Sequence, residues 1–152
     1  MREELDNQLC EKYPKIFANR HGDMCETLMC WGFECGDGWY DILNILCSNI
    51  QEHIDWISKQ HDMLIKKNPH DVKIPDEIPQ VLAIQVKEKF GTLRFYYSGG
   101  DDYISGLVSM AESMSCVTCE KCGNRGQTRG PGWIRTLCDV HEDEYQEQRS
   151  QR

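Results

Sequence analysis

The 152-residue chain has no apolar run approaching the roughly 18–20 residues a membrane-spanning helix requires, which excludes that class. Its opening, MREELDNQLC, has neither an apolar h-region nor a small-residue cleavage site, so the expected setting is the cytoplasm. Basic charge is scarce: 17 Lys and Arg stand against 25 Asp and Glu, a net charge of −8. A general DNA or RNA coat needs the opposite balance. The chain also lacks internal repeats and low-complexity stretches. With 39% apolar and 28% charged residues it reads as a folded globular protein. Its length fits one domain, or one domain with a small appended module. The patterns G-x-x-x-x-G-K-[ST], G-x-G-x-x-G, G-x-S-x-G, H-E-x-x-H and the H-x-E…P-C-x-x-C deaminase signature are all missing, which points away from an enzyme.

Cysteine, in contrast, is plentiful. There are nine, an odd number, and without a secretion signal they do not read as a disulfide framework. Cys10 and Cys47 fall in helical patterns and behave as small buried hydrophobes. Cys25, Cys30 and Cys35 recur every five residues, which suits neither a zinc knuckle nor one helix face. The C-terminal set differs. Cys119-Glu-Lys-Cys122-Gly123 is followed, fifteen residues on, by Cys138-Asp-Val-His141. Two pairs, each split by two residues, bring four ligands within reach of one tetrahedral Zn²⁺. Gly123 lets the backbone fold back toward the thiolates. Cys138 opens a helix expected over Asp139 to about Gln148, and His141 lies one turn on, on the same face. Four protein ligands leave no open position, so the expected zinc is structural. Cys116 offers an alternative register but lacks the glycine that follows Cys122.

The rest of the chain reads as follows. Residues 2–13 form a short helix with Leu5 and Leu9 on one face, ended by Pro14. Residues 19–38 are irregular or partly extended. From Trp39, apolar residues at 39, 42, 43, 46, 50, 54, 57 and 64 define a long amphipathic helix, started by Asp37 or Gly38 and ending near Lys67. At its length it either breaks or runs past the core. Residues 68–79 carry three prolines and form a loop. Val81–Glu88 and Thr92–Ser98 alternate in polarity and make a hairpin about Lys89-Phe90-Gly91. Asp101 or Asp102 caps a helix to about Ser115, with Ile104, Leu107, Val108, Ala111 and Met114 inward. Short strands over 126–129 and 133–136 flank Gly130-Pro131-Gly132. The expected fold is α+β: a hairpin or small antiparallel sheet on two or three helices (residues 1–115), with a treble-clef-like zinc finger and C-terminal helix (116–152).

Three places outside the cysteines could carry binding. Residues 116–138 hold four cations (Lys121, Arg125, Arg129, Arg135) against one acid, whereas residues 1–115 hold eleven basic against nineteen acidic residues. This patch suits an anion or a nucleic acid, or merely offsets the acidic body. On the hairpin, Lys87, Lys89 and Arg94 neighbour Phe90, Tyr96 and Tyr97. If Lys87, Arg94 and Tyr96 share the outer face, they offer two cations and an aromatic plate to a phosphate-bearing ligand or a base; cross-strand pairing is the plain alternative. The run Trp31-Gly-Phe-Glu34-Cys-Gly-Asp37-Gly-Trp39-Tyr40-Asp41 crowds aromatics, glycines and acids. Glu34, Asp37 and Asp41 could converge as a recognition pocket or a hard-cation site, or serve only helix capping and core.

Taken together, WGFECGDGWYDIL, KEKFGTLRFYY, GGDDYISGLVSMAESMS, TCEKCGNRG and GWIRTLCDVH resemble a group of small uncharacterised proteins encoded by bacteriophages and prophages, over about residues 29–141. The resemblance implies a phage accessory protein in the host bacterial cytoplasm that binds a host factor or neutralises host defence. The expectation is thus a non-enzymatic binding protein that blocks or sequesters a bacterial defence component. Its target would be a host protein or a nucleotide-type small molecule, with no membrane partner. A nucleic-acid-binding finger is the alternative, and a metal-dependent hydrolase using Glu34, Asp37 and Asp41 is a third reading.

Overall fold

The computed structural model describes residues 1–67, 77–130 and 132–151. The expected loop over 68–79 therefore lies outside the described residues up to position 76, as does Pro131 of the expected Gly-Pro-Gly turn. The chain is α+β, with four α-helices and two small sheets among the described residues. Among the described residues no helix is long and apolar enough to cross a membrane.

Helix α1 spans Glu3–Lys12, with Glu3, Glu4 and Asp6 in the first turn and Lys12 in the last, the arrangement the helix dipole favours. Leu9 is buried, and so is Asp6. Asp6 is held by Arg20, whose Nε and Nη2 donate to its two oxygens at 2.8 and 2.9 Å, while Nη1 donates to the Cys30 carbonyl at 3.0 Å. This bidentate pair ties α1 to a one-turn 3-10 helix, Leu28–Trp31. Within the 19–38 segment one element was not anticipated: strand β1, Phe33–Glu34. At two residues it is too short to show alternation, so only pairing defines it.

Strands β2 (Leu82–Lys89) and β3 (Thr92–Ser98) form the expected hairpin, and β1 adds to β2 in parallel, giving a mixed three-stranded sheet in the order β1-β2-β3. A register shift between Ala83 and Gln85 makes Ile84 the extra residue of a bulge. The bulge turns Ala83 and Val86 inward and leaves Ile84 40% exposed, which simple alternation does not reveal.

A 3-10 turn, Asp37–Trp39, leads into helix α2, Tyr40–Lys67. Ile42, Leu43, Leu46, Cys47, Ile50 and Ile54 are buried, and no later residue of α2 is. The helix does not break; it runs past the core. Helix α3, Asp102–Ser115, is capped by Asp101, whose Oδ1 accepts from the Ile104 N–H at 3.0 Å. Ile104, Val108 and Ala111 face the core, but Met114 is 45% exposed, and the buried residue of that last turn is Ser115. Its hydroxyl is needed there: Ser115 Oγ accepts from the Leu93 N–H at 2.8 Å, and Glu112 Oε1 from the Phe95 N–H at 3.0 Å. Helix α3 so covers the open edge of β3. The core gathers Leu9, Ile16, Phe17, Met29 and Phe33 with Trp39, α2, α3 and the inner face of the sheet. The C-terminal part comprises β4 (Gln127–Arg129), paired antiparallel with β5 (Arg135–Leu137), and helix α4 (Asp139–Ser150).

Candidate metal centre and binding faces

The site begins with the turn Cys119–Gly123. The Cys119 N–H donates to the Asn124 carbonyl at 2.7 Å, and the Gly123 N–H donates back to the Cys119 carbonyl at 2.9 Å. Closing so tight a turn puts Gly123 at φ 79°, a left-handed conformation that costs glycine nothing. Cys138 stands at the N-terminal boundary of α4 and His141 one turn further. The ligand atoms of Cys119, Cys122, Cys138 and His141 all lie within 4.8 Å of one another, and could hold one metal ion. Cys122 Sγ is 3.8 Å from Cys138 Sγ, and His141 Nδ1 is 3.4 Å from Cys119 Sγ and 3.2 Å from Cys138 Sγ. Burial pushes the Cys119 thiol up, but the backbone N–H groups of Cys138, Cys122 and Lys121 outweigh it, and the thiol ends below its ordinary range. That favours the thiolate at Cys119, the form that binds metal, whereas burial and the neighbouring Cys119 and Cys138 push the Cys122 thiol up. Cys116 takes no part; its Sγ lies 3.7 Å from the Glu112 carbonyl at the end of α3.

The aromatic, glycine-rich run before α2 proves to be the socket for this turn. The Gly38 N–H donates to the Glu120 carbonyl at 2.8 Å, the Gly36 N–H to Glu120 Oε1 at 2.9 Å, and Trp39 Nε1 to the Thr118 carbonyl at 2.9 Å. Burial pushes the Glu120 carboxyl up, against the Gly36 hydrogen bond. Gly38 fits because it has no side chain: a Cβ there would lie 2.4 Å from Gly123 N and 2.7 Å from Cys122 N. A second tie joins the β2–β3 turn to β5, where Thr136 Oγ1 donates to the Gly91 carbonyl at 2.6 Å. The region 116–152 is therefore bound into the body at two points.

Among the described residues, the Cys/His set is the only close group of three or more possible metal-ligating side chains. Convergence of Glu34, Asp37 and Asp41 is not found. Asp37 is taken by Arg2, whose Nε lies 2.9 Å from its Oδ2 and whose N–H donates to Oδ1 at 2.7 Å. Glu34, pairing in register with Lys87, instead accepts from Gln85 Nε2 at 2.8 Å. Nor is Asp37 the side-chain cap of α2. Trp39 is fully buried and closed to ligands, while Trp31 is 60% exposed. Cys25, Cys30 and Cys35 join no such group.

The hairpin face is arranged as its alternation implies. Lys87 pairs with Arg94 and Gln85 with Tyr96, so these four share one face. Lys87 Nζ sits 5.6 Å from the Tyr96 ring centre, and Lys89 Nζ 5.6 Å from that of Phe90. Arg94 is drawn aside to Glu112, 3.7 Å away, which lowers the free positive charge of the face.

The C-terminal cations also divide. Arg129 is engaged, its Nε donating to the Leu137 carbonyl at 3.2 Å and its Nη2 paired with Asp139. Arg135 sits over Tyr145, its guanidinium carbon 3.9 Å from the ring centre, and Arg149 approaches the same ring at 5.9 Å. Sequence reading missed Trp133, Tyr145 and Arg149 as a group with Arg135, because α4 brings the last two to the hairpin only in three dimensions. Comparison with family models, with curated proteins and with solved structures gives no match to this chain.

Proposed function

We propose that this chain is a non-enzymatic binding protein whose Cys3His cluster holds a structural zinc in a treble-clef-like module. By its resemblance to phage and prophage proteins, it would block or sequester a component of bacterial host defence. The observation that carries the reading is the use to which the cluster is put: its turn is stitched to Gly36, Gly38 and Trp39, at the start of α2. Four protein ligands enclose the metal and leave no position for substrate. The spacing supports zinc. Tetrahedral bonds of about 2.3 Å to sulfur and about 2.0 Å to nitrogen require edges of about 3.8 Å between sulfurs and about 3.5 Å between sulfur and nitrogen. Three of the six edges, at 3.8, 3.4 and 3.2 Å, lie close to these, and all six are within 4.8 Å. The turn, the β4–β5 hairpin and α4, in that order, support the treble-clef reading. The hydrolase reading loses its basis with the separation of Glu34, Asp37 and Asp41.

The test is a native mass spectrum of protein purified gently from bacteria, followed by capture of partners from host lysate on the intact chain. One zinc per chain, with either a retained small molecule or a specific captured defence protein, is the expected result. Metal-dependent turnover of a nucleic-acid or phosphoester substrate, lost on mutation of this chain, would overturn the reading.

A further inference from the structure

We infer that the groove between Trp133 and α4 binds a small phosphate-bearing nucleotide, with the base stacked on Trp133 and the phosphate held by Arg135 and Arg149. The inference rests on the reading of the chain as a binding protein, and names its site and ligand class. The groove encloses about 450 Å³, and Arg129, Trp133, Arg135, Tyr145 and Arg149 line it, with one acid, Glu142, which accepts from Gln146 Nε2 at 2.6 Å. That volume lies in the usual range for small-ligand sites.

Trp133 is 70% exposed, the most open large apolar side chain among the described residues. An indole left in water beside cations is a stacking platform, since every base presents a π-face. The Arg135 guanidinium carbon rests 3.9 Å from the Tyr145 ring centre, a contact that orders the side chain before any ligand arrives. Among the described residues neither Arg135 nor Arg149 has a carboxylate within ion-pair distance, whereas Arg129 is committed to Asp139. Two guanidiniums without a direct ion pair, beside an open indole, outnumber the one acid of the groove and match a phosphate joined to a base.

The surroundings argue for a nucleotide in particular. A second groove of about 650 Å³ shares Trp133, Arg135, Tyr145 and Arg149, and adds the acids Glu88, Glu120 and Glu144. Carboxylates repel phosphate but accept hydrogen bonds from ribose hydroxyls and exocyclic amines. Arg135 and Arg149 line both grooves, so a phosphate held between them leaves the sugar or base edge within reach of Glu88, Glu120 and Glu144. The net charge of −8 argues against a long strand, whose further phosphates would run over an acidic body.

The test titrates the full metal-loaded chain with the dinucleotide pApA, with adenosine and with inorganic phosphate, read by calorimetry and tryptophan fluorescence. The expected result is saturable pApA binding with fluorescence quenching, and binding of adenosine or phosphate weaker by about tenfold or more. Trp133→Ala and Arg149→Gln, both at exposed positions, should each weaken pApA by about tenfold. Zinc content and melting temperature should stay unchanged in both. Absence of saturable pApA binding at about 1 mM would overturn the inference. Equal affinity in both variants would also overturn it, while leaving small-molecule binding elsewhere on the chain intact. Preference for single-stranded DNA or RNA over pApA would overturn the ligand class. The reading as a binding protein fails separately, if the native spectrum and the lysate capture both yield nothing.

Discussion

A Cβ on Gly38 would lie 2.2 Å from the carbonyl oxygen of Cys119, two residues 81 positions apart in the chain. Backbone packs on backbone here, so neither side has a flexible side chain that could yield. Gly38→Ala should destabilise the protein by about 3 kcal/mol and speed zinc loss to a chelator, although every metal ligand remains. Denaturant unfolding and competition with a zinc chelator read the two effects. An unchanged midpoint would refute the contact.

Removing a ligand acts from the other side of the same contact. Cys122→Ala or Cys138→Ala should abolish stoichiometric zinc, measured by elemental analysis, and raise amide exchange over 116–150 and around Gly36–Trp39. Retention of one zinc per chain in both variants would show that the ligand set is wrong.

Phe90 has φ 53° and Gly91 φ 78°, a hairpin turn with both central residues left-handed. A large aromatic is costly in that conformation, and the Phe90 ring is 68% exposed, with the Lys89 ammonium 5.6 Å from its centre. Phe90→Asn should therefore stabilise by about 1 kcal/mol, seen as a higher melting temperature. A lower one would mean that the Phe90 ring carries an interaction of its own.

Asp101 joins two helices: Oδ2 meets His53 Nε2 of α2 at 2.9 Å, and Oδ1 caps α3. Burial pushes its carboxyl up, but the His53 and Ile104 hydrogen bonds prevail and hold it below the ordinary range. A depressed folded-state pKa adds stability above the unfolded value near pH 4, lost as pH falls through the folded value. Asp101→Ala should cost about 1 kcal/mol at pH 7, with the gap from wild type narrowing below about pH 4. A gap that widens with acid would contradict the assignment.

Much of this was legible in the chain. The 3.6-residue period of residues 39–54 and the paired C-x-x-C and C-x-x-H spacings are local signals, and they located α2 and the cluster. The two-residue β1 and the bulge at Ile84 were not legible, because pairing partners distant in sequence determine both. The run around Gly36, Gly38 and Trp39 was conspicuous, yet its role was hidden. Glycines and a buried indole look alike whether they line a pocket or receive another part of the chain. The groove at Trp133 was half visible: Arg135 was noted as a cation, but its stacking on Tyr145 exists only once α4 is folded.

The parallel pairing of Phe33 with Val86 bears on the order of folding. The hairpin β2–β3 and the metal-ligating segment are each local in sequence and can form early, but β1 pairs with a strand 53 residues further along the chain. The Gly38–Glu120 tie closes a longer circuit still. The start of α2 should therefore be among the last parts to lock, arriving at a metal module already assembled. Loading the ion after refolding in its absence should then produce a slow gain of near-ultraviolet signal from Trp39, as the indole enters the core.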